Sequence, residues 1–220
     1  MQDLPTIALI GGTGDLGSGL AARWAAAGYK IILGSRAKDK AVAAAREMGS
    51  ANVSGDDNLG AAEAAEIVVI AVPYANHDAI LAEIKTAASG KIVVDAAVPL
   101  KPPKVSVVQL PPDGSAATIA QRILGETVRV VSAFHNVGAA KLRGGGPVDC
   151  DVLVCGDDKA ARDIVIALAD AAGTRGIDAG VLANSVAAEA LTSILIGINR
   201  RYKVDGAGIR ITGLPAKGGA

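Results

Sequence analysis

Aromatic residues are nearly missing from this chain of 220 residues: one tryptophan, one phenylalanine and three tyrosines make up 2% of it. Without aromatic platforms the bases of a single strand have nothing to stack on. Charge of one sign is missing too, since 22 basic residues balance 22 acidic ones. A chain with no basic field does not gather polyanions, so nucleic acid is not an expected partner. Only two cysteines occur, Cys150 and Cys155, around the apolar run Val152-Leu153-Val154. Their spacing matches neither a zinc ribbon nor a redox pair and is awkward for a disulfide, so both read as buried small hydrophobes. With His77 and His135 as the only histidines, no metal site is expected. No apolar run is judged long enough to cross a bilayer, and Met1-Gln2-Asp3 leads almost directly into the first apolar segment with no signal peptide. The expectation is a cytoplasmic protein without a membrane partner.

What the chain has in quantity is small aliphatic residues. Half of it is hydrophobic, so the core must be built from Ala, Val, Ile and Leu, which suits helices packed closely on a sheet. The stretch that organises the rest is Ile7-Ala8-Leu9-Ile10-Gly11-Gly12-Thr13-Gly14-Asp15-Leu16-Gly17. It reads as a strand, a glycine-rich turn and a helix start, the opening of a dinucleotide-binding βαβ unit. Gly12 is assigned the tight turn, Gly14 the approach of a diphosphate, and Gly17 the close packing of helix on sheet. The first turn after Asp15 then presents unpaired N–H groups and a positive dipole end to an anion.

Downstream the pattern repeats. Strands are expected at Ile31–Leu33, Ile67–Val72, Ile92–Val94, Val128–Val131, Val152–Cys155 and Thr174–Ile177. Helices are expected over Ala37–Met48, Ala61–Ala65, His77–Ala88, Ser115–Leu124, Ala160–Ala172 and from Asn184 or Ser185 to Arg201. The polar stretch Ser50–Asn58, the proline-rich Pro99–Asp113 and the glycine-rich segment through Gly144-Gly145-Gly146 read as loops. This alternation predicts an α/β fold: a Rossmann-type, doubly wound, mostly parallel sheet with a C-terminal helical extension. Residues 1–180 form the expected NADP-binding domain with an acceptor cleft, and residues 181–220 a helix and tail completing the cleft or a dimer interface. In that last helix Leu191, Ile194, Leu195 and Ile198 fall on one stripe, which either closes the monomer core or pairs two subunits; Gly197 suggests a close backbone contact.

The second strand ends in Gly34-Ser35-Arg36, with Lys40 one turn further on. NAD sites usually place there an acid that binds the ribose 2′-hydroxyl; an arginine instead grips a 2′-phosphate. Ser35, Arg36 and Lys40 therefore select NADP. Asp157-Asp158 reads as a cap for the following helix.

Several segments together resemble the NADPH-dependent reductases of the deazaflavin coenzyme F420. They are Gly11–Gly17, Gly34-Ser35-Arg36 with Lys40, Val72-Pro73-Tyr74, Val98-Pro99, Ser132-Ala133-Phe134-His135, Val154-Cys155-Gly156-Asp157-Asp158, and Asp178-Ala179-Gly180 with Asn184-Ser185. The resemblance implies a homodimeric enzyme that moves a hydride between NADP(H) and coenzyme F420, a small-molecule co-substrate. It implies that Gly12, Thr13, Gly14, Asp15, Leu16, Gly17, Ser35, Arg36 and Lys40 hold phosphates and adenosine. Val72, Pro73, Asn76, Val98 and Ala139 would then lie near ribose and nicotinamide. Asp15, Tyr74 and Gly138 depart from the family pattern, which more often has asparagine, tryptophan and proline there. No catalytic residue is required; His135 is the expected contact to the acceptor ring, and His77 is expected either to cap its helix or to touch the cofactor. Lys141, Arg143, Arg200, Arg201 and Lys203 are the cations available to an acidic deazaflavin tail. The alternatives are an NADPH-dependent flavin or other small-molecule reductase, and an NADP-binding redox sensor without catalysis.

Overall fold

The computed structural model describes residues 4–214; residues 1–3 and 215–220, the outer ends of the two expected units, lie outside it. The glycine-rich turn joins strand β1 (Ile7–Ile10) to helix α1 (Asp15–Ala26). The chain continues as β2 (Ile31–Ser35), α2 (Lys38–Glu47), β3 (Val53–Asp57), α3 (Asn58–Ala64), β4 (Ile67–Ile70), a 3-10 turn (Tyr74–Asn76), α4 (His77–Ile84) and β5 (Ile92–Asp95). After the proline-rich segment come α5 (Ala116–Leu124), β6 (Arg129–Ser132), α6 (Ala139–Arg143), β7 (Asp151–Gly156), α7 (Lys159–Ala171), β8 (Arg175–Asp178) and α8 (Ser185–Tyr202).

The strands lie in the order β3-β2-β1-β4-β5-β6-β7-β8. All neighbours are parallel except β6 and β7, which pair antiparallel at Val131–Gly156 and Ser132–Cys155. The central strands are apolar on both faces because helices cover both. Trp24, Leu20, Ala41, Val165 and Leu168 bury one side under α1, α2 and α7. Ala61, Ile80, Leu81, Ala117 and Leu124 bury the other under α3, α4 and α5. The two largest fully buried side chains meet edge to face, Trp24 on Phe134 at 5.6 Å, and the Trp24 indole donates to the Leu168 carbonyl at 2.8 Å. Chain order reverses beside β1, with β2 and β3 on one side and β4 on the other. That switch point opens a crevice at the carboxyl ends of the strands.

Four expectations need correction. Ser50–Asn58 is not all loop: its second half is β3, an edge strand registered on β2 from Val53↔Ile31 to Asp57↔Ser35. The glycine-rich segment contains the short helix α6. The left-handed turn belongs to Gly11, with φ of 82°, and not to Gly12. Gly12 is needed for space instead, since a Cβ there would lie 2.8 Å from Leu33 Cδ2. One segment, Leu182–Tyr202 with mean hydropathy 1.3, is after all long and apolar enough to cross a membrane by length and composition. Its leucines, isoleucines, valine and alanines raise the average, while Asn184, Ser185, Glu189, Thr192, Ser193, Arg200 and Arg201 interrupt it, which is why it does not read as a continuous apolar run. In the fold it packs on α5, and the carboxyl oxygens of the buried Glu189 accept from the Ala116 and Ala117 N–H groups at 2.6 and 3.1 Å.

Helix α8 also splits its expected stripe. Leu195 is buried and Leu191 half-buried, but Ile194 and Ile198 face outward, and the inward face carries Ser185, Ala188, Glu189 and Ser193. Gly197 makes no close backbone contact among the described residues; its open side has only Ser106 Cβ at an ordinary 3.8 Å. Beyond α8 the chain returns to β7, where the buried Asp151 binds Arg175 and accepts from the Ile211 N–H at 2.6 Å. The Arg175 guanidinium holds the Asp151 carboxyl below its usual range.

Candidate functional site

A cavity of about 240 Å³ lies in the crevice, lined by Gly11, Thr13, Gly14, Ser35, Arg36 and Asn76 among others. Three exits meet there: Gly11 to Gly14 leave β1, Ser35 and Arg36 end β2, and Ala71 to Pro73 leave β4. Helix α1 starts without a side-chain cap, with Gly14 at the cap position. Its first N–H groups are left to an anion. A Cβ at Gly17 would lie 2.6 Å from the Gly11 carbonyl oxygen, so glycine is what lets α1 start this close to the turn.

Of the residues the sequence nominates, Thr13, Gly14, Ser35, Arg36, Val72, Pro73 and Asn76 line this cavity. Gly12 and Gly17 are buried behind it as packing glycines, and Asp15 and Leu16 form the first turn of α1. Lys40 is exposed in the first turn of α2. Val98 lies past the end of β5, and Ala139 starts α6; neither lines the cavity. Arg36 forms no ion pair among the described residues, whereas Lys38 is held by Asp56 at 2.6 Å. That leaves Arg36 available to a phosphate. Asn58, at the end of the polar stretch expected to be loop, is buried at the start of α3 and lines the cavity.

Behind the cavity wall lies a buried pair that the sequence did not disclose. His77 is completely buried, its Nε2 lies 2.7 Å from Asp95 Oδ2 at the end of β5, and its ring stacks on Tyr74. Burial alone lowers the His77 pKa, but the hydrogen bond and charge of Asp95 raise it further, and the net shift is upward. The other Asp95 oxygen accepts from the Ala97 N–H at 2.9 Å. The pair therefore fixes both the 3-10 turn carrying Asn76 and the chain leaving β5 toward Val98. His77 does this structural work and is not exposed to a ligand.

His135 follows Phe134, whose φ of 69° turns the chain sharply off β6. The residue is 6% exposed, both ring nitrogens are buried, and neither finds a partner, nor does Ser132 Oγ nearby in the chain. Buried polar atoms are rarely left so. Burial pushes the His135 pKa down to about 4, with Asp95 opposing, so the ring is neutral at pH 7. Its carbonyl accepts from Thr192 Oγ1 at 2.8 Å, which ties this exit to α8. Asp158 caps α7 through the Ala161 N–H as its position suggested, while Asp157 accepts from the Leu182 N–H. Both cysteines are buried and free; burial raises Cys150 and lifts Cys155 to about 11, so neither is a ready thiolate.

The residues present fit a dinucleotide: an uncapped helix start for the diphosphate, an unpaired arginine at the end of β2, and unpartnered polar atoms at the end of β6. From β1 to β6 is three strand spacings, roughly 14 Å, enough to seat two ring systems past the phosphates. Residues 6–99 match the family described as NADP oxidoreductase, coenzyme F420-dependent. A relative from Methanocaldococcus jannaschii named F420-dependent NADP reductase is 44% identical, covering 94% of this chain and 98% of its own. The reductase of the same name from Methanothermobacter marburgensis is 42% identical, covering 95% of this chain and 99% of its own. Among solved structures, a putative F420-dependent NADP reductase from Arthrobacter sp. FB24 superposes with a TM-score of 0.82 at 26% identity, covering 95% of this chain and all of that one. With the sheet order, the cavity and near-complete coverage in agreement, the chain belongs to the family of F420-dependent NADP reductases.

Proposed function

We propose that the protein is an oxidoreductase that transfers a hydride between NADP(H) and the deazaflavin coenzyme F420. The observation that carries the nucleotide half is the unpaired Arg36 beside Ser35, in one cavity with the uncapped start of α1. The acceptor half rests on the activity for which the relatives are named, at 44% and 42% identity. NADPH, when bound, supplies the hydride. The chain's own residues bind, orient and exclude water, since transfer between two rings needs alignment more than acid-base help.

Ser35, Arg36 and Lys40 grip the 2′-phosphate, and the turn from Gly12 to Gly17 takes the diphosphate. Val72, Pro73, Asn76, Val98 and Ala139 lie along the ribose and nicotinamide. His135 satisfies its unpaired nitrogens on the acceptor ring; being neutral, it both donates and accepts. Residues 1–180 do the binding, and 181–220 complete the cleft or a homodimer interface. The exposed Ile194 and Ile198 support the dimer, and two free cysteines suit the cytoplasm.

The test is anaerobic NADPH oxidation with coenzyme F420, FMN and riboflavin offered in parallel. The expected result is rapid loss of the deazaflavin absorbance with NADPH and little with NADH. Reduction of flavins alone would make the protein a flavin reductase. Tight NADPH binding with no turnover would make it a redox sensor.

A further inference from the structure

A carboxylate in the first turn of α1 stands where an incoming diphosphate needs positive charge. Asp15 is the first residue of α1, and its side chain is 81% exposed. Left alone, it would repel the nucleotide at the position where the helix start attracts it. It is not alone: the Arg143 guanidinium forms an ion pair with Asp15 Oδ1.

Arg143 is the last residue of α6, a helix of five residues that would not persist by itself. What holds α6 against α1 is a set of contacts made by α1. Gly19 brings the two backbones together, since a Cβ there would lie 2.8 Å from Leu142 Cβ. Arg23 donates to the carbonyls of Leu142 at 2.7 Å, Gly146 at 2.6 Å, and Lys141 and Gly144 at 3.2 Å each. These bonds satisfy the end of α6 and fix its last residue over the first turn of α1.

We infer that Arg143 is a diphosphate-positioning residue of the NADP site, held over the start of α1 by Asp15 until the nucleotide arrives. A guanidinium has five donors and accepts a second anion without leaving the first. Binding then converts a two-member pair into Asp15, Arg143 and diphosphate, with the cation between the two negative groups. Ala139 opens the same short helix, so the hold on the diphosphate also fixes the residue assigned to the nicotinamide side. The inference rests on the NADP reading of the cavity and adds to it a residue outside the cavity lining.

The diphosphate is common to NADPH and NADH, whereas 2′-AMP lacks it. Dissociation constants for these three ligands are measured calorimetrically with the wild-type protein, Arg143→Ala, Arg143→Lys, Asp15→Asn and the double variant Asp15→Asn/Arg143→Ala. Arg143→Ala is expected to weaken NADPH and NADH by the same factor, about tenfold for one charge-assisted contact, and to leave 2′-AMP unchanged. Arg143→Lys keeps the charge and recovers part of the loss. The double variant binds both dinucleotides more tightly than Arg143→Ala, because the bare carboxylate is gone, and Asp15→Asn alone tells the loss of the repelling charge from the loss of the hold on Arg143. Unchanged dinucleotide binding in Arg143→Ala, or an equal loss for 2′-AMP, would overturn the inference. Wild-type protein that binds neither dinucleotide would instead overturn the NADP reading itself.

Discussion

Arg36 lines the cavity without an ion-pair partner among the described residues, which is what supports its proposed hold on the 2′-phosphate. Its neighbour Lys38 is neutralised by Asp56, so a 2′-phosphate meets Arg36 as the cation at the end of β2. A charge-assisted bond contributes about 1.5–3 kcal/mol, so Arg36→Ala is expected to weaken NADPH tenfold to a hundredfold and leave NADH nearly unaffected. Equal losses for the two nucleotides in a binding titration would remove the 2′-phosphate assignment. Glu189 sets a second residue-scale expectation. Burial pushes its pKa up to about 8, against the Ala116 and Ala117 N–H groups and the charge of His77, which hold it down. The folded protein then keeps a proton between about pH 4.5 and 8 that the unfolded chain has released. This group's stabilisation is fully present below the unfolded pKa and is lost as pH rises through 8. The melting temperature of the wild type should therefore fall from pH 5 to 8.5 more steeply than that of Glu189→Gln, which still contains His77, Asp95 and His135. Parallel curves for the two proteins would rule out Glu189 as the titrating group.

Elements differed in how far the sequence announced them. The apolar strands β1, β4 and β5 and the capped α5 and α7 were legible because their signals are local: continuous Val and Ile, Ser115 and Asp158 at the caps. Strand β3 was not, because Val53-Ser54-Gly55-Asp56-Asp57 has one β-branched apolar residue, and its glycine is there to admit α2. A Cβ at Gly55 would lie 2.3 Å from the Ala41 carbonyl carbon. Helix α6 was hidden for the opposite reason: Arg23 holds it from far along the chain, and nothing between Gly138 and Gly146 records that. The site divides in the same way. Ser35 and Arg36 could be read from the motif, while the His77–Asp95 pair and the Asp15–Arg143 pair exist only once strands and helices are side by side. Gly17 gives the test at this scale. Gly17→Ala would press a methyl group against the Gly11 carbonyl and Leu9 Cδ2, at 2.6 and 2.7 Å, and must shift the helix start. Overpacking of this kind costs about 1–3 kcal/mol, which lowers the melting temperature by about 2–4 °C per kcal/mol in a chain of this size. NADPH binding should weaken along with it; a variant as stable and as tight-binding as the wild type would mean that α1 does not need this close approach.

At the scale of the whole molecule, α8 is built inside out for a monomer. Its inward face carries Ser185, Glu189 and Ser193, all engaged or enclosed, while Ile194 at 49% and Ile198 at 36% exposure face away from the core. Val107, Val108 and Leu110 of the proline-rich segment are exposed as well, and Ser106 of that segment bonds Arg200 at 3.4 Å beside Gly197. Apolar side chains from two segments that meet are poorly matched to water, and the proposed homodimer would cover them with a second copy of the chain in a two-fold arrangement. The pairing also bears on catalysis, because Thr192 on α8 holds the His135 carbonyl at the end of β6. Introducing charge on this face, as Ile194→Glu with Ile198→Glu, leaves the monomer core intact, so the variant should still unfold cooperatively, at a temperature lowered by the loss of the subunit contact. In sedimentation velocity the wild type should run at twice the 21.9 kDa chain mass, and the double variant at the chain mass itself. NADPH affinity, set at the β1 and β2 exits, should survive in the variant while turnover with the acceptor falls. A wild type that sediments as a monomer, or a double variant that still pairs, would move the interface off α8.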